Sequence, residues 1–356
     1  MQLNAALMND TGSGWHFGCD RVMRVIESNL AMRGIAVCAR SGVGNKWWDD
    51  AAFLENASAA DIIVINGEGT LHHARPKGES LLRIVDHPIA SGKPVALINA
   101  LYQENPPEWR RYLDKLALIS PRDSWSAAAL SELTGQSISH LPDLSMAEGF
   151  HPAADTAVRE CLTIGESVLK ETARDLVAFV DRHPESIFLP LIRTLHAPRP
   201  NRPWPFRQMR QAYASARSYL FRIQRKNSVF SRDEFEFASN LTRSYLHISG
   251  RFHAICFAVT TKTPFLALAS NAWKIEALVE DLGIEKWRIV KADALEELAR
   301  EPGKLNFSAE ERTRIEAALE RGVAGTTKMF DSLAQLARES RGMNAAASTP
   351  KVTEAS

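Results

Sequence analysis

Short apolar runs alternate with segments of helical period along most of the chain. In the first half the apolar runs predict strands, and the amphipathic segments between them predict helices. The predicted strands are residues 2–8, 61–66, 93–101 and the start of 117–133, and the predicted helices are 19–34 and the rest of 117–133. Strands that alternate with helices form parallel sheets, so this half predicts an α/β domain.

The second half repeats the pattern. Strands are predicted at 161–167, 186–192, 245–250 and 264–270, and helices at 171–184, 251–259, 271–283 and from Ala309 onward. The sequence therefore predicts two Rossmann-like domains, the GT-B type of α/β architecture, with a closing C-terminal helix. We place the domains at 1–150 and 158–340, a linker near 150–160 and a disordered tail at 341–356. In such open sheets ligands bind at the carboxyl ends of the strands, often between domains.

The composition of the 356 residues is that of a globular protein and argues against several classes. A net charge of +1 gives no indication of a nucleic-acid partner. No apolar run reaches the roughly 18–20 residues that span a bilayer, and the N-terminus lacks the basic region of a signal peptide. The four cysteines are far apart, with no CxxC and no metal-type pairing with histidine. We therefore expect a cytoplasmic protein with reduced thiols and no metal.

The stretch SGRFHA, residues 249–254, places polar chemistry at the start of an apolar helix. Ser249 and Gly250 are predicted to turn the chain after a strand, which puts Arg251 and His253 at a helix N-terminus. Free N–H groups attract an anion there, and a guanidinium matches a carboxylate or phosphate. A histidine can transfer a proton near neutral pH. The alternative is structural: the arginine caps a loop and the histidine bonds to the backbone.

The stretch GEGTLHH, residues 67–73, follows another predicted buried strand. Gly67 and Gly69 would let the backbone approach a ligand closely. Glu68 would repel an anion, but it could receive a hydroxyl proton from an acceptor or orient His72. The alternative is a strand-to-helix turn with exposed polar side chains.

Two further cations follow predicted strands. Arg122, in ISPRDSW, is expected to share an anionic ligand with Arg251, and Lys274, in SNAWKIEAL, could supply a third positive charge. The alternatives are a local pair between Arg122 and Asp123 with a serine cap, and an ordinary surface lysine.

The N-terminal loop NDTGSGWHFGCD carries Gly12, Gly14 and Gly18 ahead of a helix. These glycines do not have the GxGxxG spacing of a dinucleotide site, which argues against a nicotinamide or flavin cofactor. We expect the loop to shape the floor of a ligand cleft.

Taken in order, these pieces resemble the polysaccharide pyruvyl transferase family. The resemblance runs from about Asn4 to Ile284 and rests on the glycine-rich loop, GEGT, PRDSWSAAAL with LPDL, SGRFHAICFAVTTKTPFLAL and SNAWKIEALVEDLGI. It implies a transferase that places pyruvate from phosphoenolpyruvate, as a ketal, on a sugar of a cell-surface polysaccharide or its lipid-linked precursor. No cofactor is implied. The first domain would serve the acceptor and the second the donor.

The resemblance also implies roles for individual residues. The implied donor pocket consists of Arg122, Ser249, Gly250, Arg251, Phe252, His253 and Lys274. We assign the acceptor or cleft side to Gly67, Glu68, Gly69, His72 and Asp143. The expected acid is His253, which would protonate the methylene of the donor while the cations hold the leaving phosphate. The sequence departs from the family pattern at two places. At the position of Glu68 the family commonly has glycine, which points to a different acceptor for this protein. The turn before Lys274 also differs in its spacing.

Residues 199–232 form a basic insertion in the second domain. No acidic residue occurs from Pro198 to Arg232, and apolar residues recur three and four apart over 206–223. This pattern predicts a basic amphipathic helix, which can lie on an anionic membrane surface. Contact through 206–226 would place the protein at the inner face of the membrane. The alternative is a helix that packs this stripe on its own domain.

Two other functions stay open at this point. A glycosyltransferase of the same architecture would use a nucleotide sugar, with Glu68 or His72 as base, although no acidic ribose partner follows a strand in the second half. A non-catalytic glycan-binding protein could also keep the fold. The presence of both Arg251 and His253 argues against a protein that has lost its catalytic activity.

Overall fold

The computed structural model describes residues 2–149, 159–197, 203–300 and 302–348, so most of the predicted linker lies outside the described residues. The chain divides into two compact units. Unit 1 contains Met1–Asp10, Ile26–Leu141 and Ala324–Ser356, and unit 2 contains Thr11–Val25 and Pro142–Val323. Each unit therefore combines segments that are far apart in sequence, unlike the continuous domains that we predicted.

The elements alternate between strand and helix through most of both units. The strands are β1 Leu3–Asp10, β2 Ile35–Gly42, β3 Ile62–His72, β4 Val95–Gln103, β5 Leu118–Pro121, β6 Cys161–Ser167, β7 Ile187–Phe188, β8 Ser244–Gly250, β9 Phe265–Leu268 and β10 Ile289–Val290. The helices are α1 Phe17–Met32, α2 Ala51–Ser58, α3 Pro76–Leu82, α4 Arg110–Leu113, α5 Ser124–Thr134, α6 Lys170–Arg182, α7 Trp204–Gln224, α8 Glu234–Thr242, α9 Phe252–Thr260, α10 Lys274–Asp281, α11 Leu295–Leu298 and α12 Ala309–Ser348.

Each unit contains one parallel sheet of five strands. The order is β2-β1-β3-β4-β5 in unit 1 and β10-β9-β8-β6-β7 in unit 2, which is the same doubly wound order in both. The strand order reverses between β1 and β3 in the first sheet and between β6 and β8 in the second. Ligands of open α/β sheets bind outside the carboxyl ends of the strands at such a reversal. The prediction of two Rossmann-like domains is confirmed.

The cores explain why the strands read as continuous apolar runs. All nine residues of β4 are buried, since helices cover both faces of a parallel sheet. In unit 2, α9 is buried along its whole length and packs with β9 and α10. Because α9 is buried on all sides, the polar residues at its start are enclosed in the same packing.

The segment Thr11–Val25 belongs to unit 2 through contacts with residues far along the chain. The backbone N–H of Phe17 donates to the carbonyl of Leu191 (3.2 Å), and the N–H of Arg193 donates to the carbonyl of Trp15 (2.8 Å). Arg21 is buried and its Nη1 lies 3.1 Å from the carboxylate of Glu234. These contacts attach the glycine-rich loop to unit 2, although β1, which precedes it, lies in unit 1.

Two predictions about elements need correction, and the strand β2 was missed. The strand predicted at 186–192 is limited to β7, because Pro190 in FLPLI has no N–H to donate to a neighbouring strand. The helix α12 continues through Ser348, so residues 341–348 of the predicted disordered tail are helical, and 349–356 lie outside the described residues. The strand β2 was not predicted, because IAVCARSG is only partly apolar and half-buried.

Candidate functional site

The turn from β8 into α9 is fixed by short contacts with the end of β6. The Oγ of Ser249 accepts a hydrogen bond from the N–H of Arg251 (3.2 Å) and donates one to the carbonyl of Glu166 (3.1 Å). A Cβ on Gly250 would lie 2.5 Å from the Oγ of Ser167, so glycine is required there. Since β6 and β8 flank the reversal of the sheet, α9 begins where such sheets bind ligands.

Arg251 is the N-cap residue of α9 and pairs with a buried carboxylate. Its Nε lies 3.1 Å from Oε1 of Glu166, and the N–H of Leu191 donates to Oε2 of the same carboxylate (2.9 Å). Burial raises the pKa of Glu166, and the charge of Arg251 opposes that rise. The guanidinium of Arg251 is planar, and its two terminal nitrogens match the geometry of a carboxylate or phosphate.

Glu166 was missed by the sequence interpretation. Its signal is an acidic residue among the last residues of an apolar strand, CLTIGES. Such a carboxylate must find a partner when the strand is buried. The partner, Arg251, follows the neighbouring strand in the sheet, so the strand order was needed to pair them.

His253 lies in the first turn of α9 and is 7% exposed. Its Nε2 lies 3.6 Å from Oδ1 of Asp143, beyond hydrogen-bond distance but within electrostatic range. The Oδ1 of Asp143 also accepts a hydrogen bond from the N–H of Ser145 (2.9 Å), which holds the carboxylate in place. Contacts of this kind often tighten only when a ligand binds, so Asp143 is a candidate to orient the imidazole. The sequence interpretation assigns Asp143 to the acceptor or cleft side, and the structure places it beside His253.

A second histidine, His16, lies next to His253 and was also missed. The ring centroids are 5.4 Å apart, and the Nδ1 of His16 accepts a hydrogen bond from the N–H of Cys19 (3.2 Å). Burial, then His253 and Arg251, and to a lesser degree Lys274, hold the pKa of His16 well below its usual value. The ring is therefore neutral at pH 7. Because Nδ1 accepts, the neutral ring carries its proton on Nε2 and can act as an uncharged donor.

Gly18 is the glycine of the N-terminal loop with the clearest structural requirement. A Cβ at this position would lie 2.3 Å from the Cβ and 2.4 Å from the Cγ of His253. The distance to the Cβ of His253 cannot be relieved by rotating a side chain, because both Cβ positions are fixed by the backbone. Gly18 therefore lets His253 take up its position in unit 2.

His16, Cys19 and His253 also offer one ligand atom each within 4.8 Å of one another. Nitrogen and sulfur ligands in this combination suit Zn²⁺. The positive charges of Arg251 and Lys274, which act on His16, oppose the binding of a cation at the same place. The three side chains are of the types that bind a metal ion, but the nearby positive charges disfavour one. The expectation that the protein binds no metal stays a prediction.

Lys274 and Phe252 have different surroundings. The Nζ of Lys274, at the start of α10, donates to Oδ1 of Asn271 (2.9 Å) and the side chain is half-buried. Phe252 is 6% exposed and packs with Met146 and other residues of the core, while its ring centroid lies 5.3 Å from that of His253. Phe252 thus packs in the core and against His253.

In unit 1 the GEGT stretch lies within β3 rather than in a turn to a helix. A Cβ on Gly67 would lie 2.5 Å from the Cβ of Ala100 on β4, so β3 and β4 approach too closely for a side chain. Glu68 has a left-handed backbone (φ 33°), which is strained for a non-glycine residue. Its Oε2 accepts a hydrogen bond from Nδ2 of Asn66 (3.2 Å), and Nδ2 of Asn9 donates to the carbonyl of Asn66 (2.6 Å).

Glu68 and His72 are both buried, at 5% and 1% exposed, so the alternative of exposed polar side chains is wrong. The Nδ1 atoms of His72 and His73 lie 2.7 Å apart, and the Nε2 of His73 lies 3.2 Å from the carboxylate of Glu104. A strained, buried carboxylate at the reversal between β1 and β3 is the feature of unit 1 that most resembles a functional site.

Arg122 follows β5 in unit 1 and is 4% exposed. A Cβ on Gly69 would lie 4.0 Å from a terminal nitrogen of Arg122, so the arginine approaches the GEGT stretch. Asp123 is the N-cap of α5: its carboxylate accepts hydrogen bonds from the N–H (2.7 Å) and the Oγ (2.9 Å) of Ser126. The cap is therefore the aspartate and not a serine.

The candidate residues fall into two groups by unit. Unit 1 contains Gly67, Glu68, Gly69, His72 and Arg122. Unit 2 contains Asp143, Ser249, Gly250, Arg251, Phe252, His253 and Lys274, together with the newly recognised His16 and Glu166. The expectation that Arg122 and Arg251 share one anion stays a prediction.

A surface cavity of about 390 Å³ in unit 1 lies apart from these residues. Its lining includes Trp47, Trp48, Arg83, His87 and Tyr112, and none of the candidate residues lines it. The buried charged groups described above, rather than this cavity, define the candidate site.

A sequence model of a protein family matches residues 27–271, about two thirds of the chain. This family is the polysaccharide pyruvyl transferases. The chain belongs to the polysaccharide pyruvyl transferase family. The resemblance identified from the motifs is thereby confirmed. The match includes Glu68, Arg122, Glu166 and His253, but His16 and Lys274 lie outside it. No curated protein matches the sequence.

Solved structures resemble this pyruvyl transferase family member in fold. One is UDP-GlcNAc 2-epimerase from Neisseria meningitidis, bound to UDP-GlcNAc, with 12% sequence identity and a TM-score of 0.53. The superposition covers 94% of this chain and 99% of the epimerase chain. An α,α-trehalose-phosphate synthase from Burkholderia vietnamiensis has 11% identity and a TM-score of 0.46 and covers 99% of this chain and 100% of its own. The epimerase confirms the predicted GT-B type of fold, and at this identity it shows the fold alone.

Proposed function

We propose that this protein forms a ketal-linked pyruvate on a sugar of a cell-surface polysaccharide or of its lipid-linked precursor, with phosphoenolpyruvate as donor. The observation that carries the proposal is the start of α9, where Glu166 holds Arg251 and Asp143 lies beside His253. Phosphoenolpyruvate is a small anion with a carboxylate and a phosphate. A guanidinium and the free N–H groups of a helix start suit both groups.

The first step is protonation of the donor. A proton moves from the imidazolium of His253 to the methylene carbon, which becomes a methyl group and leaves C2 electrophilic. A sugar hydroxyl then forms a bond to C2 and gives its proton back to the imidazole. Arg251 and Lys274 stabilise the charge on the phosphate, and His16 can donate an uncharged N–H.

The second step closes the ketal. The bond between C2 and the phosphate oxygen breaks, and a second hydroxyl of the same sugar bonds to C2 while its proton goes to the phosphate. The products are the ketal and hydrogen phosphate. In unit 1, Arg122 is a candidate to bind the donor, and the buried Glu68 is a candidate to contact a hydroxyl of the acceptor sugar. A lipid-linked acceptor would be met in the cytoplasm, at the inner face of the membrane.

Phosphate release from phosphoenolpyruvate, across a panel of lipid-linked and model glycosides, tests this proposal. We expect acceptor-dependent release by the wild type and a loss of about 100-fold or more in His253→Ala. His183→Ala, at a partly exposed histidine of the same unit that pairs with Glu296, is the matched control and should keep its activity. Phosphoenolpyruvate should raise the melting temperature of the wild type and of both variants.

The competing function is a glycosyltransferase that uses a nucleotide sugar. The fold is compatible with it, since the epimerase of similar fold was solved with UDP-GlcNAc bound. A shift in melting temperature with UDP- or CMP-sugars, together with neither binding nor turnover of phosphoenolpyruvate, would overturn our proposal in favour of this one. If His253→Ala keeps the biological function, a non-catalytic glycan-binding role replaces both.

A further inference from the structure

One face of α7 is apolar and exposed. The face consists of six residues spaced three or four apart: Phe206, Met209, Tyr213, Ala216, Leu220 and Ile223. Its five large side chains are 48–68% exposed. At 3.6 residues per turn these positions occupy a stripe about 100° wide along the helix. The alternative that α7 packs this stripe on its own domain is therefore wrong.

The opposite face attaches α7 to unit 2. Ala214 and Ser218 are 1% and 6% exposed, and the Oγ of Ser218 accepts a hydrogen bond from the N–H of Leu195 (3.0 Å). Phe221 packs beside Phe188, with ring centroids 5.0 Å apart. The helix is thus held with its apolar stripe outward, and the exposure does not come from a detached segment.

Positive charge lies beside the stripe at Arg217 and elsewhere along the segment. Arg207, Arg217 and Arg222 are exposed, as is Lys226 just beyond the helix. No acidic residue occurs from Pro198 to Arg232, so no carboxylate within the segment offsets these charges. Arg225 is not included among these charges, because its Nε and Nη2 donate to the two carboxylate oxygens of Asp181 (2.6 and 2.7 Å).

We propose that α7 docks on the surface of an anionic lipid bilayer, with the apolar stripe at the boundary of headgroups and acyl chains and the arginines on lipid phosphates. Amphipathic helices of this composition bind in that way. The aromatic residues Trp204, Tyr213 and Tyr219 are exposed and suit the membrane interface. The contact is with the surface, because no described helix has both the length and the apolar content to span a bilayer.

A second copy of the chain fits this surface less well. A twofold contact through the stripe would bring the Arg217 side chains of both copies to one interface, where like charges would repel. An anionic bilayer supplies both an apolar layer and negative charge. The docking proposal stands on the surface of α7 alone and does not require the proposed pyruvyl transfer.

Flotation with vesicles tests the docking. We expect the full-length protein to float with vesicles of phosphatidylcholine and phosphatidylglycerol (7:3) and to bind vesicles of phosphatidylcholine alone at least about tenfold less. Raising NaCl from 0.15 to 0.5 M should weaken binding, because salt screens the attraction between the arginines and the lipid phosphates.

Two variants separate the charge from the apolar contact. The triple variant Arg207→Glu, Arg217→Glu, Arg222→Glu and the triple variant Phe206→Ser, Met209→Ser, Leu220→Ser should each lower binding at least about tenfold. The matched control reverses three exposed arginines elsewhere: Arg174→Glu, Arg321→Glu and Arg338→Glu. It should bind like the wild type. All variants should keep the melting temperature within a few degrees, because every changed side chain is exposed.

Three results would overturn the docking proposal. The first is a failure of the folded wild type to float with anionic vesicles. The second is an equal loss of binding in the control variant, which would assign binding to net charge. The third is a wild-type dimer in light scattering that becomes a monomer in the apolar variant, while neither protein binds vesicles. That result would show that the stripe contacts a second copy of the chain. Phosphate release measured without lipid separates any of these from failure of the proposed reaction.

Discussion

The carboxylate of Glu166 lies 3.1 Å from the Nε of Arg251 and thereby joins the end of β6 to the start of α9. The two strands involved flank the reversal of strand order in unit 2. Glu166 is buried and its other oxygen accepts a backbone hydrogen bond, so its position is fixed. The pair holds a cation at the place where this type of sheet binds ligands.

We expect Glu166→Gln to raise the KM for phosphoenolpyruvate roughly tenfold with a smaller effect on kcat, because Arg251 loses the charge that orients it. Glutamine keeps an oxygen for the N–H of Leu191, so the fold should persist. Glu185→Gln, at an exposed glutamate of the same unit, is the control. An unchanged KM in Glu166→Gln would mean that Arg251 is positioned by other contacts or does not bind the donor.

Asp143→Asn should lower kcat about 10- to 100-fold and leave the binding of phosphoenolpyruvate, measured by thermal shift, nearly unchanged. Asparagine keeps an oxygen for the N–H of Ser145 but no longer carries the charge that faces His253. A positioning residue should also alter the pH profile of kcat. Equal losses in donor binding and kcat, with the pH profile unmoved, would indicate a general structural role.

Gly18→Ala should lower kcat at least about 100-fold, because the new Cβ would lie 2.3 Å from the Cβ of His253 and must displace α9 or the loop. Gly149→Ala is the matched control, since a Cβ there meets nothing within 4 Å. Comparison of kcat with the melting temperature separates displacement of His253 from unfolding. Activity within twofold of the wild type in Gly18→Ala would show that this contact relaxes without consequence.

The free energy of unfolding should fall between pH 7 and pH 5, in part because of His247. This residue of β8 is fully buried, with its Nδ1 2.9 Å from the Oγ1 of Thr163, and burial lowers its pKa to about 3. Below pH 6.5 the unfolded chain binds a proton there that the folded protein does not. Stability is therefore lost as the pH falls, by about 2 kcal/mol from this residue at pH 5.

Urea unfolding at the two pH values measures this loss. In His247→Gln the difference between pH 7 and pH 5 should shrink by about 2 kcal/mol, whatever the absolute stability of the variant. The contribution of His16, whose pKa is also lowered, has the same sign and should persist in that variant. An undiminished difference would contradict the buried, neutral state of His247.

Dialysis against EDTA should leave phosphate release unchanged. The cluster of His16, Cys19 and His253 could hold Zn²⁺, but the proposed chemistry uses protons and cationic side chains, and Arg251 and Lys274 oppose a metal there. Cys19→Ser should accordingly keep most of the activity. Loss of activity in EDTA that added Zn²⁺ restores, and that Cys19→Ser reproduces, would make the cluster a metal centre.

Several elements of the site were predictable from the sequence. The run AICFAV after SGRFH predicts a helix that starts after a strand, and the structure has β8 and α9 there. Arg251 and His253 were located at that start for the same reason. Their partners Glu166 and His16 were not, because each lies on a different segment that only the sheet order and the pairing with Leu191 bring into contact with α9.

The sequence by itself determined the α/β class, most of the strands and helices, the family and the basic, apolar character of α7. These follow from local periodicity and short motifs, which act between residues that are close along the chain. Only the tertiary structure decided that the glycine-rich loop joins unit 2, that Glu166 pairs with Arg251, that Glu68 is buried and strained, and that the stripe of α7 faces outward. Each of these depends on which distant segments pack together, and burial of charge and apolar surface sets that packing for the unit as a whole.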